Sequence, residues 1–249
     1  MSKVIPIVAG GGVQASTAAK DVLHVVQHDS AEYLGLIEDH LEGRGIRFRY
    51  CRPFAGKTPL PRADALGRGL ILLGGGPWGS AGTRDVPTLA EEISLASKCL
   101  ELEKPIVGIG LGAQILAIAA GGKAESTPLE FSVLKAKRTV PDALNGYLPD
   151  EYPLAIYMRD WPAPPPGAEV LATDDTGRAA LWQVGKRALG FAGHPGLKVA
   201  MVEDLIMEFE EGPDNVEAGL AQLRAAQRSI EDALVPLMTG VVQLMGWMR

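Results

Sequence analysis

Hydrophobic positions along this chain fall into short solid runs that alternate with segments of helical spacing. Val22-Leu23-His24-Val25-Val26-Gln27 is a compact β-branched run and predicts a buried strand. Asp29 follows with Glu32 three residues on, the pattern of an N-terminal capping box. The helix it would open carries Leu34, Ile37 and Leu41 on one face and stops at Gly43. Ile46 to Cys51 predicts a second strand and Gly69 to Leu73 a third. The third runs into Gly74-Gly75-Gly76-Pro77, where backbone without side chains can approach a ligand closely. A helix is expected from about Thr88 to Glu103, with Leu89, Ile93, Ala96 and Leu100 at helical spacing and Lys104-Pro105 closing it. Ile106 to Ile109 is a fourth strand, followed at once by a helix from Leu111 to Ala120 that ends on Gly121-Gly122. Strands and helices in such short succession imply a mostly parallel sheet covered on both faces, a three-layer α/β domain.

From about Pro128 to Gly190 the period changes. Phe131 to Ala136, Leu154 to Tyr157, Glu169 to Ala172 and Ala179 to Val184 are short runs separated by Pro and Gly, which predict an antiparallel flap. After His194, the residues Val199, Val202, Ile206 and Phe209 share a helical face. The tail from Val216 to Arg249 is helical in pattern, with a break expected at Pro236 and an apolar end holding Met238, Leu244, Met245, Trp247 and Met248. Residues 1–20, rich in Gly, Ala and Ser, are expected as an N-terminal extension, either a loose arm or an added edge strand. Residues 21–212 then form one domain, and residues 213–249 a helical tail packed on it, its apolar end being core or a homo-oligomer contact. The acidic run Glu208-Phe209-Glu210-Glu211 is expected to be a solvated helix end.

Composition narrows the partners. A net charge of -6 with 47% hydrophobic residues gives no basic field to gather phosphates, so neither nucleic acid nor an anionic membrane is expected as a partner; a small molecule or another protein is. No stretch approaches the ~18 apolar residues of a membrane span. Two cysteines, Cys51 and Cys99, without motif spacing suit a reducing cytoplasm. None of the four histidines falls in a helical zinc motif, so no metal is expected, and no cofactor either.

The candidate chemistry sits in two motifs. Gly108-Ile109-Gly110-Leu111-Gly112-Ala113-Gln114 falls at a strand-to-helix elbow, and Gly190-Phe191-Ala192-Gly193-His194-Pro195-Gly196 follows it downstream. In this order the two resemble the class I (triad) glutamine amidotransferases, whose elbow reads G-x-C-x-G-x-Q and whose second motif reads H-P-E. The likeness covers roughly Val22 to Phe209, including Gly74 to Pro77 and the Leu148 to Pro153 and Pro165 to Glu169 stretches. It looks like the stand-alone members related to the glutaminase domain of GMP synthase. The resemblance implies a flavodoxin-like fold in which an elbow cysteine attacks the side-chain amide of glutamine, a histidine moves the proton and an acid orients the imidazole. Carried over residue by residue, His194 is the base, Gly110 stands at the nucleophile position and Gly196 at that of the acid. Gly75 or Gly76 with Leu111 would cradle the oxyanion, and Gln114 joins them as a ligand contact. The elbow histidine of relatives is Ala113 here, and the Gln and Phe before the motif histidine are Ala192 and Gly193.

Glycine cannot attack a carbonyl, so the first expectation is a protein that does not hydrolyse glutamine. It would bind a protein partner or keep a small amino-acid-like ligand. The alternative is altered chemistry, amide or γ-glutamyl processing by His194, with Asp160, Arg159 or His28 assisting. A cysteine supplied from Cys51 or Cys99 ranks last.

Overall fold

The computed structural model describes residues 21–56 and 59–248, so the expected extension, residues 1–20, lies outside the described residues. In chain order come β1 (Leu23–Val26), α1 (Leu36–Glu42), β2 (Phe48–Cys51), β3 (Gly69–Leu72), α2 (Leu89–Glu101), β4 (Ile106–Ile109) and α3 (Leu111–Ala119). Then β5 (Lys123–Glu125), β6 (Glu130–Arg138), β7 (Glu151–Met158), β8 (Trp161–Ala163), β9 (Glu169–Asp174), β10 (Ala179–Val184) and β11 (Ala188–Phe191) lead to α4 (Val199–Glu208) and α5 (Val216–Met245).

One nine-stranded sheet runs β2-β1-β3-β4-β11-β10-β9-β6-β7, and β5 pairs with β8 in a separate antiparallel ribbon. The first five strands are parallel; β10, β9, β6 and β7 continue the same sheet antiparallel, so the flap is an extension of the sheet rather than a separate layer. Alternation along the buried strands sorts side chains to two faces. Leu23, Val25, Ile71, Leu73, Val107, Ile109, Leu189 and Phe191 join one core with Ile37 and Leu41 of α1 and the C-terminal half of α5. Val26, Leu70, Leu72 and Ile106 join the other with α2 and α3. A parallel strand buried on both faces is apolar almost throughout, which is why β3, β4 and, apart from His24, β1 read as solid runs.

Several elements differ from expectation. Asp29 Oδ1 accepts the N–H groups of Ala31 (2.9 Å) and Glu32 (2.7 Å), but it does so in a turn ahead of the helix. Helix α1 starts after Gly35 with no side-chain cap, and Glu32 turns inward instead of closing a capping box. The buried face of α2 is Glu92, Leu95, Ala96 and Cys99, a rotation that puts a carboxylate inside. Pro236 does not break the tail: α5 is continuous from Val216 to Met245. Proline removes one N–H and crowds the preceding turn, yet burial of Leu234, Leu237, Met238, Val241, Val242 and Met245 holds the helix across it. Met238, Met245 and Trp247 are core, and only Met248 of that end is well exposed.

Candidate functional site

Register brings the motifs together. Leu72 pairs with Gly108 of β4, and Gly108 and Ile109 pair with Gly190 and Phe191 of β11, so Gly74, Gly110 and His194 emerge side by side at the carboxyl edge of the sheet. That edge is where open α/β sheets place their ligands. The outer elbow glycines are required by packing: a Cβ on Gly112 would collide with the Leu72 carbonyl, and one on Gly108 with the carbonyl of Gly112. Gly110 is different. It keeps the elbow backbone at φ 56° and ψ -115°, a conformation that strains a residue with a Cβ. A Cβ there would meet only the Gly74 Cα, at 3.4 Å, an ordinary contact.

His194 is buried, and both of its ring nitrogens are spent on backbone. Nδ1 accepts the Gly196 N–H at 3.1 Å, which leaves the proton on Nε2 to be donated to the Tyr33 carbonyl at 2.8 Å. Burial drives its pKa down to about 4, the carbonyl contact only partly opposing it, so the ring is neutral and fixed in one tautomer. Gly196 is closed in as well. The start of α1 lies on Gly196, whose carbonyl accepts the Leu36 N–H at 2.9 Å. A Cβ on Gly196 would come within 3.1 Å of the Ile37 backbone nitrogen.

Around the glycine turn the chain supplies its own carboxyl group. Glu32 Oε2 accepts the Gly76 N–H at 2.8 Å, its carboxyl group lies against Gly74, and the Leu111 side chain covers Gly75. Burial raises the Glu32 pKa, reinforced by Asp29, to about 8. On the other side of the turn, His28 meets acceptors at both nitrogens, the Gly74 carbonyl (2.8 Å) and Glu92 Oε2 (2.8 Å). Two acceptors demand two ring protons, and although burial pulls against it, the Glu92 carboxylate raises the His28 pKa to about 9. Asp29 is pushed up by burial to about 6, with Glu208 adding to the effect.

The remaining candidates are structural in geometry. Gln114, fully buried, accepts from Ser80 Oγ (2.7 Å) and donates to the Arg159 carbonyl (2.7 Å), tying the elbow helix to the β7–β8 turn. Asp160, at φ 62°, accepts the N–H groups of Ser80 (2.9 Å) and Ala81 (3.0 Å). Arg159 donates to the Pro77 carbonyl at 3.1 Å and pairs with Glu211, which also pairs with Arg84. The acidic run after α4 is therefore more than a solvated end: Glu211 joins two arginines and Glu208 accepts from Ser30 Oγ at 2.6 Å. Cys51 and Cys99 are buried free thiols whose pKa burial raises, that of Cys99 to about 12, so neither offers a thiolate. Among the described residues no cluster of three or more His, Cys, Asp or Glu is placed to hold a metal, and no helix is long and apolar enough to cross a membrane.

Sequence reasoning missed Glu92, and it assigned Glu32 and Glu208 only bland roles. A charged residue at a helical core position, as at Glu92, was the available signal.

The sequence profile described as "Glutamine amidotransferase class-I" matches residues 47–197, more than half of the chain. The chain belongs to the class I glutamine amidotransferase family. It is 24% identical over 197 residues to the glutamine amidotransferase-like protein YfeJ of Salmonella typhimurium, covering 76% of this chain and 81% of that one. It is 30% identical over 166 residues to the glutamine-hydrolysing GMP synthase of Aeropyrum pernix, covering 64% of this chain but 31% of that protein, so it corresponds to only a part of that longer enzyme. The fold is shared with the crystal structure of a glutamine amidotransferase from Methylobacillus flagellatus, with a TM-score of 0.75 at 23% identity over 92% of this chain and 96% of that one.

Proposed function

We propose that this class I amidotransferase-like protein lacks glutaminase activity and acts as a binding or partner-associated subunit. The observation that carries the reading is the state of the triad positions: Gly110 offers no nucleophile, and the retained His194 has both nitrogens bonded to the backbone of Gly196 and Tyr33. Packing of α1 on Gly196 leaves little room for an acid, and Glu32 sits on Gly76, one of the N–H groups expected to hold an oxyanion. Altered chemistry by His194 is disfavoured by the same bonds, because a base must have a free nitrogen within reach of the proton it takes. A partner role is supported by the GMP synthase of Aeropyrum pernix, in which the matching region is part of a much longer chain.

The test is ammonia release from glutamine by the purified protein, with His194→Ala alongside and intact-mass analysis for a γ-glutamyl adduct. No turnover above the protein-free background and no adduct are expected. Hydrolysis that His194→Ala abolishes, or a covalent adduct, would overturn the reading.

A further inference from the structure

The carboxyl edge of the sheet carries the two motifs, and the opposite edge gathers positive charge. Register sets this up. Leu70 of β3 and Ala188 of β11 both pair with Ile106 of β4, so Arg68, Lys104 and Lys186, each two residues ahead of its partner, precede three neighbouring strands at one level. Arg187 lies beside them, its carbonyl accepting the Ile106 N–H at 2.9 Å. Parallel strands set their amino ends side by side, and like charges brought together there repel unless an anion stands among them. The chain as a whole has a net charge of -6, so this row is not part of a generally basic surface.

A cavity of about 310 Å³ opens against the row, walled on its other side by Met245 and Trp247 at the end of α5. Its cations differ in how far they are already used. Arg68 is committed, with Nε on Asp21 Oδ1 at 2.8 Å and a second nitrogen on the Trp247 carbonyl, and serves as wall. Lys104 gives one N–H to the Leu66 carbonyl at 3.1 Å, which leaves two of its three protons without an acceptor among the described residues. Arg187 is exposed, lines both this cavity and a smaller one beside it, and makes no ion pair with the described residues. One carboxylate, Glu103, lines the same two cavities; it offsets one of the two open charges and leaves the site positive.

A guanidinium and an ammonium facing one cavity suit an oxyanion, the planar fork gripping two oxygens and the ammonium another. A phosphoryl group, close to doubly charged, gains more from two cations than a carboxylate does. The volume lies at the low end of the ~300–1,000 Å³ of ligand pockets, so the ligand is small. We infer that this cavity binds the phosphoryl group of free phosphate or of a small phosphate monoester, held by Arg187 and Lys104. The site lies at the far edge of the sheet from Gly110 and His194 and does not rest on the absence of glutaminase activity, so the two readings fail separately.

NMR titration at low ionic strength with inorganic phosphate and phenyl phosphate tests it, with acetate as the singly charged control. The reporters are the Lys104 and Arg187 amides and the Trp247 indole N–H, which donates to the Arg68 carbonyl at 3.0 Å. Phosphate should shift them saturably and bind at least about fivefold more tightly than acetate. Phenyl phosphate binding more tightly than inorganic phosphate marks a monoester as the source, and equal affinity marks free phosphate. Arg187→Gln, at an exposed position, should weaken both phosphates at least about fivefold while the protein stays folded. Glu103→Gln should tighten them about twofold by removing the carboxylate that repels the ligand, a gain that damage to the fold would not produce. No saturable shift, shifts confined to other basic surface such as Arg49 and Arg62, binding undiminished by Arg187→Gln, or binding weakened by Glu103→Gln would overturn the site.

Discussion

Two buried histidines stand at the carboxyl edge of the same parallel sheet, His28 after β1 and His194 after β11, and their neighbours hold them in opposite charge states. His194 meets one donor and one acceptor, both backbone, and stays neutral. His28 meets two acceptors, one of them a carboxylate, and stays a cation. The contrast teaches that burial alone does not set the charge of an imidazole, since both rings are almost fully enclosed. It also separates the motif histidine, where every polar atom of the ring is matched from within, from the neighbouring rim, where Asp29 keeps an unmatched oxygen.

Breaking the charged side should have the largest effect. Glu92→Ala removes the partner of a buried cation and frees Thr88 Oγ1, which bonds Glu92 at 2.6 Å. A loss of about 3–5 kcal/mol is expected, read from urea denaturation, because an uncompensated charge is left inside. A loss below about 1 kcal/mol would mean that His28 sheds its proton at no cost and is not held as a cation.

His194→Ala should cost less, about 2–3 kcal/mol, by leaving the Gly196 N–H and the Tyr33 carbonyl unmatched in the interior. It should also change the pH dependence. A histidine whose folded pKa is about 4 against an ordinary 6.5 binds its proton more readily in the unfolded chain, so the wild-type protein loses stability as pH falls from 6.5 to 4. That share of the loss should vanish in the variant. Asp29 and Glu32, both raised, act in the opposite sense over these values, which is why the difference between the two proteins is the quantity to measure. On the other side, His28, raised to about 9, supplies stability that is complete below 6.5 and is lost as pH rises towards 9, and Glu32 adds to the same fall up to about 8. Side-chain NMR titration should find one imidazole near 4 and another near 9; two ordinary values near 6.5 would erase the contrast.

The difference in what could be read from sequence follows the same line. β1, β4 and α3 were legible to within about a residue or two, since apolar runs of strand length and an elbow between glycines leave few alternatives. β11 was visible only as a motif, and β5, Lys-Ala-Glu, carries no apolar signal at all. The positions of Gly110, Gly196 and His194 came from the resemblance, but the lock on His194 did not, because its partner is a main-chain carbonyl 161 positions away that any residue would provide. The charged rim was hidden for a different reason. Hydrophobic spacing treats Glu92 as solvent-facing, and Asp29-x-x-Glu32 imitates a helix cap, so the carboxylates that bury themselves around His28 were assigned to the surface or to a cap.

The smallest expected effect bears most directly on the elbow at Gly110. Gly110→Cys places a sulfur at a position where a Cβ meets only Gly74 at an ordinary distance, so the fold should accept it at about 1–2 kcal/mol of backbone strain. The thiol should react with iodoacetamide, showing that it is reachable, yet glutamine hydrolysis should remain at the background of the wild-type protein. A sulfur alone lacks a base as long as His194 Nε2 stays on the Tyr33 carbonyl, and no acid side chain stands at Gly196 to turn the ring. Turnover by Gly110→Cys would show that the imidazole can leave Tyr33, and that a sulfur at the elbow suffices for hydrolysis.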